Sequence, residues 1–309
     1  MKIAFLFPGQ GAQSLGMGKD LYDKYEEVKN IYGKMSRASN VDIANLTFNT
    51  SEEELSQTKN TQIAILAMSL GILEILNRNG INAEYTAGLS LGEYAALVYG
   101  NSISIEDAAK IIKKRGEYMQ NLLPEGDWAM AAVIGMEDNE VEKICQKVTK
   151  GFATCANYNC PGQVAVSGDR EGINELMELA KEAGAKRVIE LKTSGPFHTK
   201  KLEKASRALR EELEKIEIKI PDCKVIKNLD ATEYKESDNI KEILSNHVIN
   251  PVKFSDSVKY MIANGVDTFI EIGPGKVLTG FVKKINKEVN CININNVETL
   301  ESAIEELSK

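Results

Sequence analysis

The sequence predicts an α/β protein: a core built on a parallel central sheet, with a small ferredoxin-like subdomain inserted into it. Three observations carry this expectation. Short apolar runs alternate with helical patterns along most of the 309 residues, which is the rhythm of strand and helix packed in layers. Between residues 126 and 195 the order becomes β-α-β-β-α-β, the ferredoxin-like unit. Gly88-Leu89-Ser90-Leu91-Gly92 stands between a short strand and a helix, the context that a nucleophile elbow of G-x-S-x-G type requires.

The elements follow in order. The first apolar run, residues 3–7, stops at Pro8-Gly9, too short for a signal-peptide core or a membrane span and suited to a buried strand. Helical spacing runs through 21–35 and 61–76; the apolar stretch 63–76 is broken by Ser69, Gly71 and Glu74 and suits a core helix, so no transmembrane or secretory segment is expected. A strand at 85–87 enters the elbow, and helices at 93–99 and 105–123 leave it. In the inserted unit, strands at 129–134, 153–156, 163–167 and 186–191 enclose helices at 137–149 and 171–183. Pro161-Gly162 turns between the middle strands and Gly184 ends the second helix, as turn and C-cap chemistry dictate. Beyond lie a charged helix at 200–216, an apolar run at 223–228, a Lys/Glu-rich loop and a stretch at 258–264 that leads to the next strand. A strand at 268–272, closed by Gly273-Pro274-Gly275, then a helix and a last strand at 289–293 complete the chain.

Composition narrows the function. With 43% hydrophobic and 27% charged residues the chain is an ordinary globular one, not disordered, collagenous or of low complexity. Its 38 basic against 45 acidic residues give a net charge of −7, which argues against a nucleic-acid partner but leaves room for local basic patches facing an acidic protein. Five cysteines without a CxxC pair read as reduced thiols of a cytoplasmic protein.

Ser90 is the sharpest candidate. The glycines around it permit a tight turn that lifts its hydroxyl above the sheet, and the following helix N-terminus favours the anion of an acyl-transfer intermediate. A Gly-rich turn with a capping serine would look the same until a base is found. Only two histidines exist, His198 and His247. His198 follows Ser194-Gly195-Pro196-Phe197, where a rigid chain would fix an imidazole; His247 precedes Val248-Ile249-Asn250-Pro251 in a loop-like stretch, and spacing alone does not separate them. Arg115 falls on the apolar stripe of its helix with Ala108, Ile111, Ile112, Met119 and Leu122. A buried guanidinium must be paired, here either with an internal carboxylate or with a substrate carboxylate held in two-point fashion. After the first strand, Phe7-Pro8-Gly9-Gln10-Gly11-Ala12-Gln13 lacks the third glycine of a dinucleotide fingerprint, since Ser14 stands there; an oxyanion contributor with the Gln10 main-chain N–H is preferred. No histidine has a partner at metal-ligand spacing, and no GxxxxGK[ST] phosphate loop occurs, so no metal and no bound nucleotide are expected.

Taken together, Phe7-Pro8-Gly9-Gln10-Gly11-Ala12-Gln13, Gly88-Leu89-Ser90-Leu91-Gly92-Glu93-Tyr94, Arg115-Gly116 with Met119-Gln120, Gly195-Pro196-Phe197-His198 and Ile270-Glu271-Ile272-Gly273-Pro274-Gly275 resemble the malonyl-CoA:acyl carrier protein transacylases over nearly the whole chain. The resemblance implies a hydrolase-like acyltransferase core from residues 1–125 and 196–309, with 126–195 as the ferredoxin-like subdomain. It implies Ser90 as acylated nucleophile, His198 as general base, and the N–H groups of Gln10 and Leu91 as oxyanion hole. It further implies Arg115 as grip on the malonyl carboxylate, Met119 and Phe197 in the substrate pocket, and the His247 loop as the element whose carbonyl orients the base. Phe197 resembles the malonyl-selective form of its motif. The family more often has glutamine at the position of His247, and usually histidine where Leu89 stands, which bears on pocket polarity and acyl range. The implied reaction is ping-pong transfer of malonyl from malonyl-CoA to the phosphopantetheine thiol of acyl carrier protein, for type II fatty-acid synthesis. The enzyme itself binds no cofactor, because the prosthetic group belongs to the carrier. A serine esterase or thioesterase, a discrete acyltransferase serving a polyketide synthase and a non-catalytic carrier-binding module are the alternatives. Carriers are typically acidic, so the basic residues flanking His198 in sequence, Lys186, Arg187, Lys192, Lys200, Lys201 and Lys204, are the expected docking patch. No nucleic acid and no membrane is expected as partner.

Overall fold

The computed structural model describes residues 1–193 and 195–308; Ser194, in the segment leading to His198, lies outside the described residues. Nine strands form two sheets. The central sheet contains β1 (Ile3–Phe7), β2 (Tyr85–Gly88), β7 (Lys224–Val225), β8 (Thr268–Ile272) and β9 (Asn290–Ile294) in the order β7-β2-β1-β8-β9. Every pairing in it is parallel, and such a sheet must be covered on both faces. Along β1 the side chains alternate accordingly: Phe5 and Phe7 join the cluster with the helices Glu26–Ser39, Thr58–Arg78 and Ile105–Asn121. Ala4 and Leu6 join the cluster with Phe254, Met261, Leu278 and Phe281 on the other face.

Between β2 and β7 the chain builds the second sheet from β3 (Trp128–Ile134), β4 (Ala153–Cys160), β5 (Gln163–Asp169) and β6 (Arg187–Leu191). Their spatial order is β4-β5-β3-β6 and all pairings are antiparallel, the arrangement of a ferredoxin-like unit. Helices Asp138–Lys147 and Arg170–Glu182 cover one face, with a core of their own. The edge of β4 is not free: the Ala156 carbonyl accepts from Val252 N–H, and Tyr158 N–H donates to the Val252 carbonyl, both at 2.9 Å. This bridge ties the small sheet to the segment that follows His247.

Several elements differ from the sequence expectation. The helix expected at 21–35 is two helices, Lys19–Lys24 and Glu26–Ser39, broken where Tyr25 takes an extended conformation and donates its hydroxyl to Glu301 at 3.0 Å. The charged helix at 200–216 begins as a 3₁₀ turn, Lys200–Leu202, and ends at Leu213. The Lys/Glu-rich loop contains the helix Ile240–His247, capped by the Asn239 side chain on the Glu242 N–H and buried through Ile240 and Leu244. His247 therefore ends a helix; it is not part of a loop. The helices Ile43–Phe48, Glu52–Leu55 and Val297–Leu307 carry side-chain caps from Asp42, Ser51 and Asn296 and were not expected. Helix Thr58–Arg78 is long and apolar enough to cross a membrane by length and composition, with mean hydropathy 1.3, yet 83% of that window is buried inside the fold.

Candidate active site

The parallel register of β1 and β2 sets Phe7 beside Gly88, so the two strands deliver Gln10 and Ser90 to the same end of the sheet. This is where open α/β sheets place their sites. The elbow is held by close backbone approach: a Cβ at Gly88 would lie 1.9 Å from the carbonyl carbon of Gly92, and one at Gly92 would lie 2.2 Å from the Phe7 carbonyl oxygen. Ser90 sits at φ +56° and His198 at φ +59°. Left-handed conformation at non-glycine residues is a cost that folds retain chiefly at functional positions.

Ser90 and His198 meet through space across 108 residues of chain, with Ser90 Oγ 2.9 Å from His198 Nε2. His198 Nδ1 faces the carbonyl oxygens of His247 at 3.0 Å and Asn250 at 3.2 Å. Two acceptors at Nδ1 require the proton there, leaving the Nε2 lone pair for the serine hydroxyl. Burial, aided by the positive charge of Arg115, lowers the His198 pKa to about 4 against the opposing pull of the two carbonyls. The imidazole is therefore neutral and ready to accept a proton at neutral pH.

Arg115 is 1% exposed. Its Nη2 donates to Ser90 Oγ at 2.9 Å and its Nη1 to Gln62 Oε1 at 2.6 Å, while Nε has no partner among the described residues. The guanidinium lies 5.8 Å from the Tyr94 ring centroid. Neither hydrogen bond goes to a carboxylate, so of the two partners weighed from sequence, an internal ion pair is absent among the described residues. Burial pulls the Arg115 pKa down from its usual value, opposed by Tyr94 and Glu93. Met119 lies one helical turn on and accepts the Gln62 side-chain N–H at its sulfur, 3.4 Å away, so it steadies the residue that holds Arg115.

These groups line a cavity of about 230 Å³ between the two sheets, bounded on the far side by Met130, Ala132 and Ala165 of the small sheet and at its rim by Val277 and Phe281. Gln10, Leu91, Met119 and Phe197 also line it. The Gln10 side chain donates to Thr58 Oγ1 at 3.2 Å, while the main-chain N–H groups of Gln10 and Leu91 donate no hydrogen bond among the described residues. Leu89 lines the cavity as well and packs against the apolar cluster of Phe254 and Phe281, giving Ser90 an apolar neighbour. The six basic residues of the expected docking patch are exposed; Lys201 stacks over the rings of Phe152 and Trp128 at 5.3 and 5.8 Å. Among the described residues no group of three His, Cys, Asp or Glu side chains could hold a metal.

Four contributors were not singled out from sequence. Gln62 holds Arg115, and Asn159 lines the cavity with its Oδ1 buried and without a partner among the described residues. Asn228 accepts the Ser90 N–H at 2.8 Å and donates to the Gly88 carbonyl at 2.6 Å. Glu93 is fully buried behind the nucleophile. Polar residues inside apolar segments, as at Gln62 beside the run 63–73 and Asn157-Tyr158-Asn159 in a strand, were the available signal.

The chain is similar to known proteins over nearly its whole length. The acyl transferase domain family matches residues 4–303. A malonyl CoA-acyl carrier protein transacylase of Bacillus subtilis (strain 168) is 44% identical over 100% of this chain and 98% of its own. The protein of the same name from Staphylococcus aureus (strain MRSA252) is 39% identical over 96% of each. Among solved structures, the malonyl CoA-acyl carrier protein transacylase of Clostridium perfringens superposes with a TM-score of 0.95 at 43% identity, covering 100% of this chain and 98% of that one. A malonyl-transacylase in complex with a type II PKS acyl-carrier protein superposes with a TM-score of 0.95 at 34% identity, covering 99% and 100%.

Proposed function

The chain belongs to the acyl transferase domain family, and from that premise we propose that it moves a malonyl group from malonyl-CoA to the phosphopantetheine thiol of an acyl carrier protein, with Ser90 as the point of attachment. The observation that carries the residue assignment is that one hydroxyl, Ser90 Oγ, lies 2.9 Å both from a neutral imidazole nitrogen and from a buried guanidinium that no carboxylate contacts among the described residues.

The thioester carbonyl of malonyl-CoA enters the cavity beside Ser90, and its carboxylate takes the Nη atoms of Arg115. Ser90 Oγ attacks the carbonyl carbon as its proton passes to His198 Nε2. The oxyanion is met by the N–H groups of Gln10 and Leu91, each donor of this kind being worth roughly 10²–10³ in rate. Collapse breaks the C–S bond, and the CoA thiolate leaves with the proton from His198. In the second half the carrier's thiol gives its proton to His198 and attacks the malonyl ester, and the proton returns to Ser90 as the ester bond breaks. The enzyme needs no cofactor of its own for these steps; the phosphopantetheine arrives on the carrier. The pathway served is type II fatty-acid synthesis, and the compartment is the cytoplasm. Lys186, Arg187, Lys192, Lys200, Lys201 and Lys204 form the docking patch for an acidic carrier on a chain whose net charge would otherwise repel it.

Intact-protein mass spectrometry after mixing with malonyl-CoA tests the assignment. A malonyl adduct on the parent that disappears in Ser90→Ala supports it. Steady CoA release without any adduct would favour a hydrolase, and neither adduct nor release would favour a carrier-binding module.

A further inference from the structure

Behind the Ser90–His198 pair lies a buried polar cluster that the transfer steps do not touch. Glu93, on the helix Gly92–Tyr99 that leaves the elbow, has no exposed surface. Its Oε1 accepts the Tyr234 hydroxyl at 2.6 Å, its Oε2 accepts the Asn228 N–H at 3.4 Å, and Oε2 lies 3.3 Å from His247 Nδ1. Tyr234 and Asn228 donate to the carboxylate, which favours its ionised form, and His247 Nδ1 is the third polar atom beside it. Burial opposes this, pushing the Glu93 pKa up to about 7.

Two of these three partners hold the reacting groups. Asn228 clamps the elbow through the Ser90 N–H and the Gly88 carbonyl. The His247 carbonyl receives the His198 Nδ1 proton. The two histidine rings lie 5.0 Å apart, centroid to centroid, and His247 Nε2 is buried without a partner among the described residues. Glu93 thus stands one residue behind the nucleophile's clamp and one residue behind the base's anchor. Among the described residues His198 has no carboxylate partner: both acceptors at Nδ1 are main-chain oxygens. Glu93 is also the buried carboxylate felt through space by Arg115.

Resting on the Ser90–His198 assignment above, we propose that Glu93 is a positioning residue for the transfer reaction: acting through His247 and Asn228, it fixes the base and the nucleophile. A role confined to folding would lower the yield of active protein while leaving the rate per active site unchanged.

The test is a rapid-quench measurement of CoA release from malonyl-CoA, normalised to sites titrated by the malonyl adduct. Glu93→Gln keeps the side-chain shape and removes the charge; its acylation rate is expected to fall at least tenfold with the KM for malonyl-CoA within threefold of the parent. His247→Leu keeps the carbonyl that His198 uses but gives Glu93 no donor, and is expected to lower the rate at least fivefold. His247→Gln, which restores an N–H donor, is expected to recover at least half of that loss. A folded Glu93→Gln protein acylating within twofold of the parent, or equal rates for His247→Leu and His247→Gln, overturns the proposal. Should Glu93→Gln not fold, the two His247 variants decide alone. An adduct on Ser90 in the parent with no effect of these substitutions removes only the role of Glu93, whereas absence of that adduct removes the underlying assignment as well.

Discussion

Arg115→Met separates the cost of burying a charge from its use. The guanidinium is 1% exposed, is held by Gln62 and Ser90, and has no partner at Nε among the described residues. Methionine has similar length and no charge, so the substitution removes a desolvation penalty of several kcal/mol and leaves the Gln62 oxygen unsatisfied at about 1–3 kcal/mol. The folded protein is thus expected to melt at the same temperature as the parent or higher. Malonyl recognition moves the other way. A charge-assisted hydrogen bond contributes about 1.5–3 kcal/mol, and the substrate carboxylate displaces the existing Ser90 bond as it gains two. The net loss is therefore about 1.5–3 kcal/mol, a factor of roughly 10–10² in kcat/KM for malonyl-CoA. Acetyl-CoA has no carboxylate to lose, so its slower transfer should change far less. Thermal unfolding together with competition between malonyl-CoA and acetyl-CoA reads both effects. Equal losses for the two acyl groups would refute the assignment of Arg115 as the carboxylate grip, and a destabilised protein that kept its malonyl preference would refute the electrostatic reasoning as well.

Other expectations follow from the same geometry. Ser90→Gly and Ser90→Ala both lack the nucleophile, but at φ +56° the glycine variant should be the more stable by about 1 kcal/mol, measured by denaturant unfolding; equal stabilities would mean the elbow is unstrained. Gly88→Ala would set a methyl 1.9 Å from the Gly92 carbonyl carbon, and a cost of about 3 kcal/mol, the upper end for overpacking, should appear with loss of the adduct. The His198 pKa falls from 6.5 to about 4 on folding, so the unfolded chain binds more protons in that window and stability drops as pH falls through it. His247, whose pKa burial also lowers, acts in the same direction. His198→Gln should flatten part of that slope, and an unchanged slope would contradict the burial of a neutral imidazole. Replacing the six basic residues of the docking patch by glutamine should raise the KM for carrier, whereas unchanged carrier kinetics would place docking elsewhere.

How far the sequence reached depended on whether a residue's role is local. The strands were legible because each is a short apolar run closed by a turn, and Ser90 because an elbow needs glycines at fixed offsets. The helix Ile240–His247 was hidden by its brevity and by the charged residues before it, Lys235, Glu236 and Asp238. The break at Tyr25 has no glycine or proline behind it and rests on contacts with the C-terminal helix, where Glu301 receives both Tyr25 and Lys24. At the site, spacing could not choose between two histidines, because only the fold brings Ser90 and His198 together and turns the His247 carbonyl towards the base. Glu93 was obscured for a different reason: an acidic residue in the first turn of a helix ordinarily complements the helix dipole, and nothing local reveals that this one is buried among Tyr234, Asn228 and His247.

The most direct test of the central claim is peptide mapping of the protein quenched after brief exposure to malonyl-CoA. The account predicts a malonyl ester on the peptide containing Ser90, discharged on adding carrier bearing a free phosphopantetheine thiol. A stable malonyl group on any other residue, or direct transfer to the carrier without an ester at Ser90, would contradict it.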